Sequence, residues 1–239
     1  MSNPQPLDRP AWSALATGWA PLAEGDERAC RLDPRYGPFG AAADRSAQSL
    51  AALGALVPAE GELWVVEAGD ILPAPGIIVA RSATLAQMVA ETITPGTREV
   101  DFVRLSDDDA PEMRALAALT RPGPFASLTH RLGGFIGVRR EGRLVAMAGE
   151  RMRLDGFTEV SGVCTHPEHR GQGYAGALMR IVAGRMLARG ETPFLHAYAD
   201  NEPAIALYES LGFRTRALVN MAVLVRARVY PGSNRLASP

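Results

Sequence analysis

The sequence contains no lysine, so all 25 of its basic residues are arginines, and they stand against 26 acidic residues. A Walker-type phosphate loop is therefore excluded, because that loop requires a lysine beside the phosphates. The net charge of -1 also offers no long-range field that would attract nucleic acid or an anionic membrane. We expect neither of these as a partner.

Cysteines and long apolar runs are also scarce. Only Cys30 and Cys164 are present, far apart in the chain, so a disulfide framework is not expected and a reducing compartment fits. The longest uncharged runs, such as residues 46–59, are shorter than the roughly 18 apolar residues that a membrane-spanning helix needs. Residues 1–12 lack the basic and apolar stretches of a signal peptide. We therefore expect a cytoplasmic protein.

Hydrophobic residues make up 47% of the 239 positions, which is enough for one large core or two modest ones. Pro95-Gly96 interrupts the chain just before an alternating segment, and this break indicates a domain boundary near residue 97. We expect an N-terminal domain over residues 1–97, a second domain over 98–232, and a C-terminal tail over 233–239.

Hydrophobic periodicity predicts helices and strands along the whole chain. In the N-terminal part it predicts helices over 44–56 and 84–91 and strands over 62–67 and 76–80. The elements predicted in the C-terminal part are strands over 99–105, 135–140, 143–153, 158–165, 193–199 and 213–225, and helices over 107–119, 174–189 and 202–211. The fold class is therefore α/β, with a mixed, mostly antiparallel central sheet flanked by helices and a smaller α/β N-terminal domain.

The most informative segment is a glycine-rich turn that follows an apolar strand and begins a long helix. Gly171 and Gly173 have no side chains, so backbone N–H groups can converge there on an anion such as a diphosphate, and the helix adds its positive end. A turn that only tightens the strand-to-helix junction is the alternative. With Gly176 the spacing also fits a dinucleotide fingerprint, but that motif belongs after the first strand of its fold, and this one lies late in the chain.

Residues 170–175, Arg-Gly-Gln-Gly-Tyr-Ala, resemble the pyrophosphate loop of the GNAT superfamily of acyl-CoA N-acyltransferases, Arg/Gln-x-x-Gly-x-Gly/Ala. Residues 199–213 (ADNEPAIALYESLGF) resemble the strand end and helix that face coenzyme A in this superfamily. The resemblance covers about residues 98–226, and it is greatest to the branch that includes glycine N-acyltransferase-like C-terminal domains. Residues 1–97 show no such motif, which leaves open a degenerate copy of the fold or an unrelated cap.

This resemblance implies an N-acetyltransferase with a catalytic domain over 98–232, which moves an acetyl group from acetyl-CoA directly to a primary amine of a small molecule. An amino acid or a conjugate of one fits that acceptor class. An acyl-CoA-sensing or partner-binding protein with little turnover is the alternative, and a homodimer stays open. The coenzyme A contacts that the resemblance implies are Val163, Cys164, Thr165, Arg170, Gly171, Gln172, Gly173, Tyr174, Ala175 and Asn201.

The strands around the cofactor are expected to separate so that the thioester can enter. We expect a bulge near Gly162 and divergence of its strand from the strand over 193–199, which would leave a notch for the reacting carbonyl. Asn201 has a second interpretation, because an asparagine before Glu-Pro is equally typical of a helix N-cap.

Amine acylation needs a proton acceptor for the amine and a proton donor for the departing thiolate. Glu159 shares a strand face with Ser161, and its position resembles that of the base in histone-type GNAT enzymes, although an exposed strand glutamate is the alternative. Glu150 is the main rival base. Tyr208 resembles the tyrosine that reaches the cofactor sulfur and is the expected general acid, whereas a core aromatic is its alternative.

The acceptor pocket is expected to be walled by residues 120–130, where the superfamily has variable loops. Phe125 would provide an apolar wall, and Arg121 would either bind a substrate carboxylate or lie in solvent. A covalent acyl intermediate on Cys164 is not expected, because direct transfer needs none. No metal is expected either, because the histidines and cysteines, namely Cys164, His166, His169 and His196, match no zinc spacing and the superfamily uses no metal.

Overall fold

The computed structural model describes residues 5–227. Its helices are α1 (Pro10–Ala16), α2 (Ala47–Leu56), α3 (Ala110–Thr120), α4 (Tyr174–Ala188) and α5 (Glu202–Ser210). Its strands are β1 (Ala23–Gly25), β2 (Ala29–Leu32), β3 (Gly40–Ala42), β4 (Leu63–Glu67), β5 (Ile77–Val89), β6 (Val103–Arg104), β7 (Ile136–Arg140), β8 (Arg143–Leu154), β9 (Phe157–Thr165), β10 (Thr192–Tyr198) and β11 (Arg214–Arg226). The predicted tail over 233–239 lies outside the described residues.

The architecture is a large mixed sheet with a small sheet beside it. The large sheet has eight strands in the order β4-β11-β5-β10-β9-β8-β7-β6, and β1, β2 and β3 form a separate three-stranded sheet. Among the described strands of the large sheet, β9 and β10 pair in parallel, and every other neighbouring pair is antiparallel. The predicted fold class, a mostly antiparallel sheet flanked by helices, is confirmed.

The large sheet contains strands from both sides of residue 97. Strands β4 and β5 precede that residue, and β5 pairs with β10 on one side and with β11 on the other. Residue 97 itself lies in the connection between β5 and β6. The N-terminal residues therefore complete the central sheet in addition to forming the small one, and the division at residue 97 does not coincide with an edge of the sheet.

The helix predicted over residues 84–91 is wrong, because this segment lies mostly in strand β5. Its residues, Thr-Leu-Ala-Gln-Met-Val-Ala-Glu, include several good helix formers. In the structure the backbone from Leu85 to Val89 pairs with β10 and β11 at once, and the side chains of Met88 and Val89 are buried. Pairing on both edges and burial on both faces outweigh the local helix preference, which amounts to tenths of a kcal/mol per residue.

Local signals determine several of the other element boundaries. Strands β7 and β8 are joined by the predicted hairpin turn, in which Glu141 (φ 51°) and Gly142 (φ 79°) both have the positive φ that such a turn requires. Helix α5 begins after Asn201, whose side-chain oxygen accepts a hydrogen bond from the N–H of Ala204 at 3.3 Å. The expected N-cap role of Asn201 is confirmed.

Helices cover the two faces of the large sheet. Val160 and Leu195 pack in the core under α4, whereas Phe194, the neighbour of Leu195, packs in the core that contains α1. Because successive strand residues point to opposite faces, Glu159 and His196 lie on the face that carries α1. Within residues 5–227, no helix has the length and apolar character needed to cross a membrane.

Candidate active site

Strands β9 and β10 separate in the middle of the large sheet. They pair only where Phe157–Glu159 lies beside Thr192–Phe194, after which β10 continues along β5 to Tyr198. At this point the register between β9 and β8 also shifts, and Gly162 has a φ of 63°. A side chain there would come within 2.7 Å of the Phe135 ring. The predicted bulge near Gly162 and the divergence of the two strands are both confirmed, and together they open a notch in the sheet.

The glycine turn lies at the carboxyl end of β9 and leads directly into α4. Gly171 and Gly173 have φ values of 73° and 72°, a left-handed conformation that glycine adopts at little cost. Gly173 is the N-cap of α4 and provides no side-chain acceptor for the first N–H groups of the helix. Open space surrounds the position where a side chain would project from Gly171. The turn therefore presents free backbone donors to an open cradle, which is the arrangement that binds phosphate oxygens.

A cavity of about 360 Å³ lies over this turn. We refer to it as the donor cavity. Its lining residues are Thr120, Val163, Cys164, Thr165, His169, Arg170, Gly171, Gln172, Gly173, Tyr174, Ala175, Gly176, Leu207 and Tyr208. Nine of the ten predicted coenzyme A contacts are in this set. The tenth, Asn201, lines a second cavity.

Tyr174 contributes to the turn in a way that the sequence motif does not reveal. The residue is 3% exposed, and the guanidinium groups of Arg98 and Arg140 both lie over its ring, at 5.3 Å and 5.1 Å from the centroid. Its hydroxyl accepts a hydrogen bond from Arg140 Nε (3.0 Å) and donates one to Gln172 Oε1 (2.9 Å). The ring therefore holds the turn in place, and it brings two further positive charges beside the phosphate cradle. No spacing in the sequence connects Arg98 or Arg140 to the loop.

The second cavity has a volume of about 300 Å³ and lies on the α1 face of the sheet. We refer to it as the acceptor cavity. Its lining residues are Phe39, Trp64, Val66, Leu85, Thr120, Arg121, Pro122, Gly123, Pro124, Arg151, Met152, Val163, His196, Ala197, Tyr198, Asn201, Ala204, Tyr208 and Met221. Thr120, Val163 and Tyr208 belong to both linings, so the two cavities meet at these three residues.

Only part of the predicted acceptor wall lines the acceptor cavity. Residues 120–124 do so, including Arg121. Phe125 does not, because its ring packs edge-on against Phe135 with centroids 5.6 Å apart. The aromatic wall is formed instead by Phe39 and Trp64, which the N-terminal part of the chain contributes.

Tyr208 lies at the junction of the two cavities. Burial raises the pKa of its phenol above the ordinary value of 10.0, so the group is protonated at neutral pH. Its hydroxyl makes no hydrogen bond to any other described group. A protonated hydroxyl at this point that makes no other hydrogen bond within the described residues is suited to donate a proton to an atom that lies between the two cavities.

Glu159 lies on β9 close to the acceptor cavity but does not line it, and it is 1% exposed. Both carboxylate oxygens are occupied, because Arg151 donates to them from Nε and Nη2 (2.7 and 2.8 Å) and His196 Nδ1 lies 2.9 Å from Oε1. Burial raises the pKa of this carboxyl, but Arg151 and His196 outweigh it and lower the pKa to about 2. The structure thus places Glu159 beneath Arg151 and His196, both of which line the cavity.

Glu150, the rival base, lies on the opposite face of the sheet. It is paired across the strands with Val160, which packs under α4, and its oxygens accept hydrogen bonds from Arg189 at 3.1 and 3.0 Å. Arg189 is the C-cap residue of α4. Glu150 therefore does not reach the acceptor cavity, and no carboxylate from the described part of the chain lines that cavity.

The hydrogen bonds of Gln87 determine how the His196 ring is oriented. Gln87 Oε1 accepts from Arg216 Nη1 (2.7 Å), so Nε2 is the end that donates, to the carbonyl of Leu7 (2.8 Å) and toward His196 Nε2 (3.1 Å). The ring consequently accepts at Nε2 and donates from Nδ1 to Glu159. This assignment follows from the network of heavy atoms, and it leaves neither ring nitrogen available to a substrate.

Cys164 and the turn at His166–His169 are the remaining reactive or metal-ligating groups near the donor cavity. Burial raises the pKa of the Cys164 thiol to about 11, although a hydrogen bond with Thr120 opposes the shift, so the group is a poor nucleophile at neutral pH. His166, Glu168 and His169 each place one potential ligand atom within 4.8 Å of the others. All three lie at an exposed or partly exposed turn before the glycine loop, and the expected absence of a metal stays a prediction.

The comparisons with known proteins agree with this geometry. Residues 135–222 match a family model described as FR47-like protein. A crystal structure described as an acetyltransferase from the GNAT family of Novosphingobium aromaticivorans is 48% identical, with 94% of this chain and 100% of that chain covered and a TM-score of 0.88. The N-alpha-acetyltransferase RimI of Mycobacterium tuberculosis is 32% identical over 133 residues, which are 51% of this chain and 83% of the relative.

A third relative is the mycothiol acetyltransferase of Thermomonospora curvata, which is 28% identical over 187 residues, or 67% of this chain. The match spans 63% of that relative, so this chain covers less than two thirds of its length.

The chain belongs to the GNAT superfamily of N-acyltransferases, a superfamily of acyltransferase enzymes. The resemblance of the glycine loop to this superfamily is confirmed. The branch that includes glycine N-acyltransferase-like C-terminal domains is not among the three relatives named, and it stays a prediction.

Proposed function

We propose that this protein is an N-acetyltransferase that moves an acetyl group from acetyl-CoA to the primary amine of a small molecule, such as an amino acid or a conjugate of one. The observation that carries the proposal is the meeting of the donor and acceptor cavities at Thr120, Val163 and Tyr208. An acceptor cavity of about 300 Å³ is at the small end of ligand sites and favours a small molecule. The acetyltransferase names of the relatives support acetyl as the group transferred.

The donor cavity is suited to coenzyme A by its chemistry. Backbone N–H groups of the glycine turn and the start of α4 would hold the pyrophosphate, with Arg98, Arg140 and Arg170 supplying positive charge around it. The edge of β9 that β10 leaves unpaired, at Val163–Thr165, would hold the pantetheine arm through backbone hydrogen bonds. When bound, acetyl-CoA supplies the acetyl thioester.

In the proposed reaction the amine nitrogen bonds to the acetyl carbon, the carbon–sulfur bond breaks, and sulfur takes the hydroxyl proton of Tyr208. The proton lost from nitrogen restores the phenol through solvent, so the products are the amide and the free thiol. Glu159 acts in this proposal as a positioning residue for Arg151 and His196. Its carboxylate has a pKa of about 2, and both of its oxygens already accept hydrogen bonds, so it is a weak proton acceptor.

The test is the release of free thiol from acetyl-CoA in the presence of a panel of small primary amines. We expect release with at least one amine, and we expect the product mass to be that of the acetylated amine. Tight binding of acetyl-CoA without thiol release from any amine would contradict the proposal and would favour the alternative of an acyl-CoA sensor.

A further inference from the structure

Arg151 is the most firmly held charged residue of the acceptor cavity. Two of its three nitrogens, Nε and Nη2, donate to the buried Glu159 carboxylate at 2.7 and 2.8 Å. Its guanidinium also lies over the Phe39 ring, 4.8 Å from the centroid. The side chain is only 11% exposed. These contacts leave the guanidinium a single orientation, so it does not have to be ordered when a ligand binds.

The third nitrogen, Nη1, is left over by these contacts. It makes no hydrogen bond to any group among residues 5–227, although Arg151 lines the acceptor cavity. Nη1 lies 3.8 Å from the position that a side-chain carbon at Gly123 would occupy, so the glycine leaves room beside it. Two N–H groups are thus directed from a rigid support toward space that a ligand can enter.

The charges around the cavity indicate what this nitrogen binds. The charged residues of the lining are Arg151 and Arg121, and none of the lining residues from the described chain is acidic. Glu159 neutralises the charge of Arg151, but it is buried beneath the cavity and offers its oxygens to no ligand. A carboxylate on the substrate would gain charge-assisted hydrogen bonds from Nη1 and attraction from Arg121. A second cationic group on the substrate would find no negatively charged residue in the lining to pair with.

We infer that the acceptor amine carries a carboxylate, and that Arg151 Nη1 binds it and determines the specificity of the site. This inference rests on the proposed function, because it names the substrate class of the same cavity. In this arrangement Glu159 keeps Nη1 aimed at the cavity, and Phe39 from the N-terminal part of the chain supports the guanidinium plane. The carboxylate would position the amine relative to Tyr208 through a fixed contact.

The experiment compares matched amines that differ only in this group, each amino acid with its carboxamide. Thiol release is measured with the unaltered protein, and kcat/KM is determined for both members of each pair. We expect the carboxylate member to be preferred by about tenfold or more, because it makes a charge-assisted hydrogen bond that the neutral amide makes only weakly. Equal kcat/KM values for the two members would overturn the inference.

The variant R151K tests whether Arg151 is responsible. A lysine has one nitrogen, which Glu159 would hold, so the buried carboxylate keeps a partner but the cavity loses Nη1. We expect KM for the carboxylate amine to rise toward that for the carboxamide, with little change for the carboxamide itself. If Arg151 had only a structural role, R151K would raise KM for the carboxylate amine and KM for the carboxamide together. R151K introduces the only lysine of the chain, and this lysine could itself react with acetyl-CoA. The intact mass of the variant after incubation with acetyl-CoA must therefore show no added acetyl group.

Arg121 provides the comparison variant, because it lines the same cavity but is exposed, so that solvent and salt screen its attraction for a carboxylate. We expect R121Q to lower the preference for the carboxylate less than R151K does. If R121Q abolishes the preference and R151K retains it, the assignment to Arg151 is wrong. If no amine of any kind supports thiol release, the proposed function fails as a whole. If R151K does not fold, the paired amines with the unaltered protein still decide whether a carboxylate is recognised.

Discussion

The donor and acceptor cavities meet at Tyr208, yet they are built from different kinds of groups. The donor cavity is formed largely by one continuous segment, residues 163–176, whose backbone and glycines provide its shape. The acceptor cavity is formed by side chains that range from Phe39 to Met221. A backbone site depends on local conformation, whereas a side-chain site depends on every strand that positions it. Substitutions should therefore affect the two cavities separately, and the following predictions test that separation.

The largest expected effect is on the acceptor side, from the variant E159A. Arg151 is nearly buried, so removing the carboxylate leaves its positive charge without a partner. This lowers the unfolding free energy by about 3 to 5 kcal/mol. Urea unfolding measures this loss. The control is E91A, because the Glu91–Arg214 pair is exposed and should change stability by less than about 1 kcal/mol. Acetyl-CoA affinity should be unchanged in the folded fraction of E159A. A large loss of affinity would show that a substitution beside the acceptor cavity also changes the donor cavity.

The same carboxylate predicts a pH dependence of stability. Its pKa in the folded state is lowered from 4.5 to about 2, so its stabilising contribution is complete above pH 4.5 and is lost as the pH falls through about 2. The unfolding free energies of the unaltered protein and of E159Q, measured from pH 7 downward, should therefore converge below pH 4.5. A constant difference across this range would contradict the ion pair.

At the junction of the cavities, Y208F should lower kcat by about 100-fold, a typical contribution of a general acid. Binding of acetyl-CoA should be retained, because the ring still fills the same space. The matched control is Y198F, since Tyr198 lines the acceptor cavity alone and its loss of a hydroxyl should change kcat by less than about threefold. Full turnover by Y208F at every pH would exclude the acid role.

On the donor side, G173A should raise KM for acetyl-CoA by about tenfold. An alanine at a φ of 72° costs about 1 to 2 kcal/mol, and its side chain would lie 3.2 Å from Arg98. G184A is the control, because open space surrounds that position within α4 and alanine favours the helix. The preference between carboxylate and carboxamide acceptors should be unchanged in G173A. A changed preference would show that the cavities are coupled.

The parts of the site that could be predicted from the sequence are those in which neighbouring residues act together. The glycine loop, the N-cap at Asn201 and the hairpin turn at Glu141-Gly142 each depend on the conformational preferences of a few consecutive residues. The bulge at Gly162 was expected from the resemblance, because the thioester has to enter between the strands, and a glycine within a strand is consistent with it. These features could be predicted because the residues that determine each of them lie within a few positions of one another in the sequence.

Other parts could not be predicted, because their partners are distant in the chain. Arg151 and His196 lie 8 and 37 positions from Glu159, and the pairing of three strands brings them together. The face of the sheet that Glu150 occupies also depends on the register between β8 and β9, which the bulge shifts. The N-terminal helix α1 has seven residues, too few for a periodic signal.

The sequence by itself determined the glycine turn, which indicates an anion site, and the absence of lysine, which excludes a Walker loop. The resemblance of residues 170–175 and 199–213 to GNAT motifs then indicated an acyltransferase. The tertiary structure alone decided that residues 77–89 form a strand, that Glu159 is an ion-pair partner and not an open base, and that Arg151 lines the acceptor cavity. The physical reason is the range of the interactions. Backbone conformation follows from adjacent residues, whereas burial and the pairing of charges follow from which distant strands the core brings together.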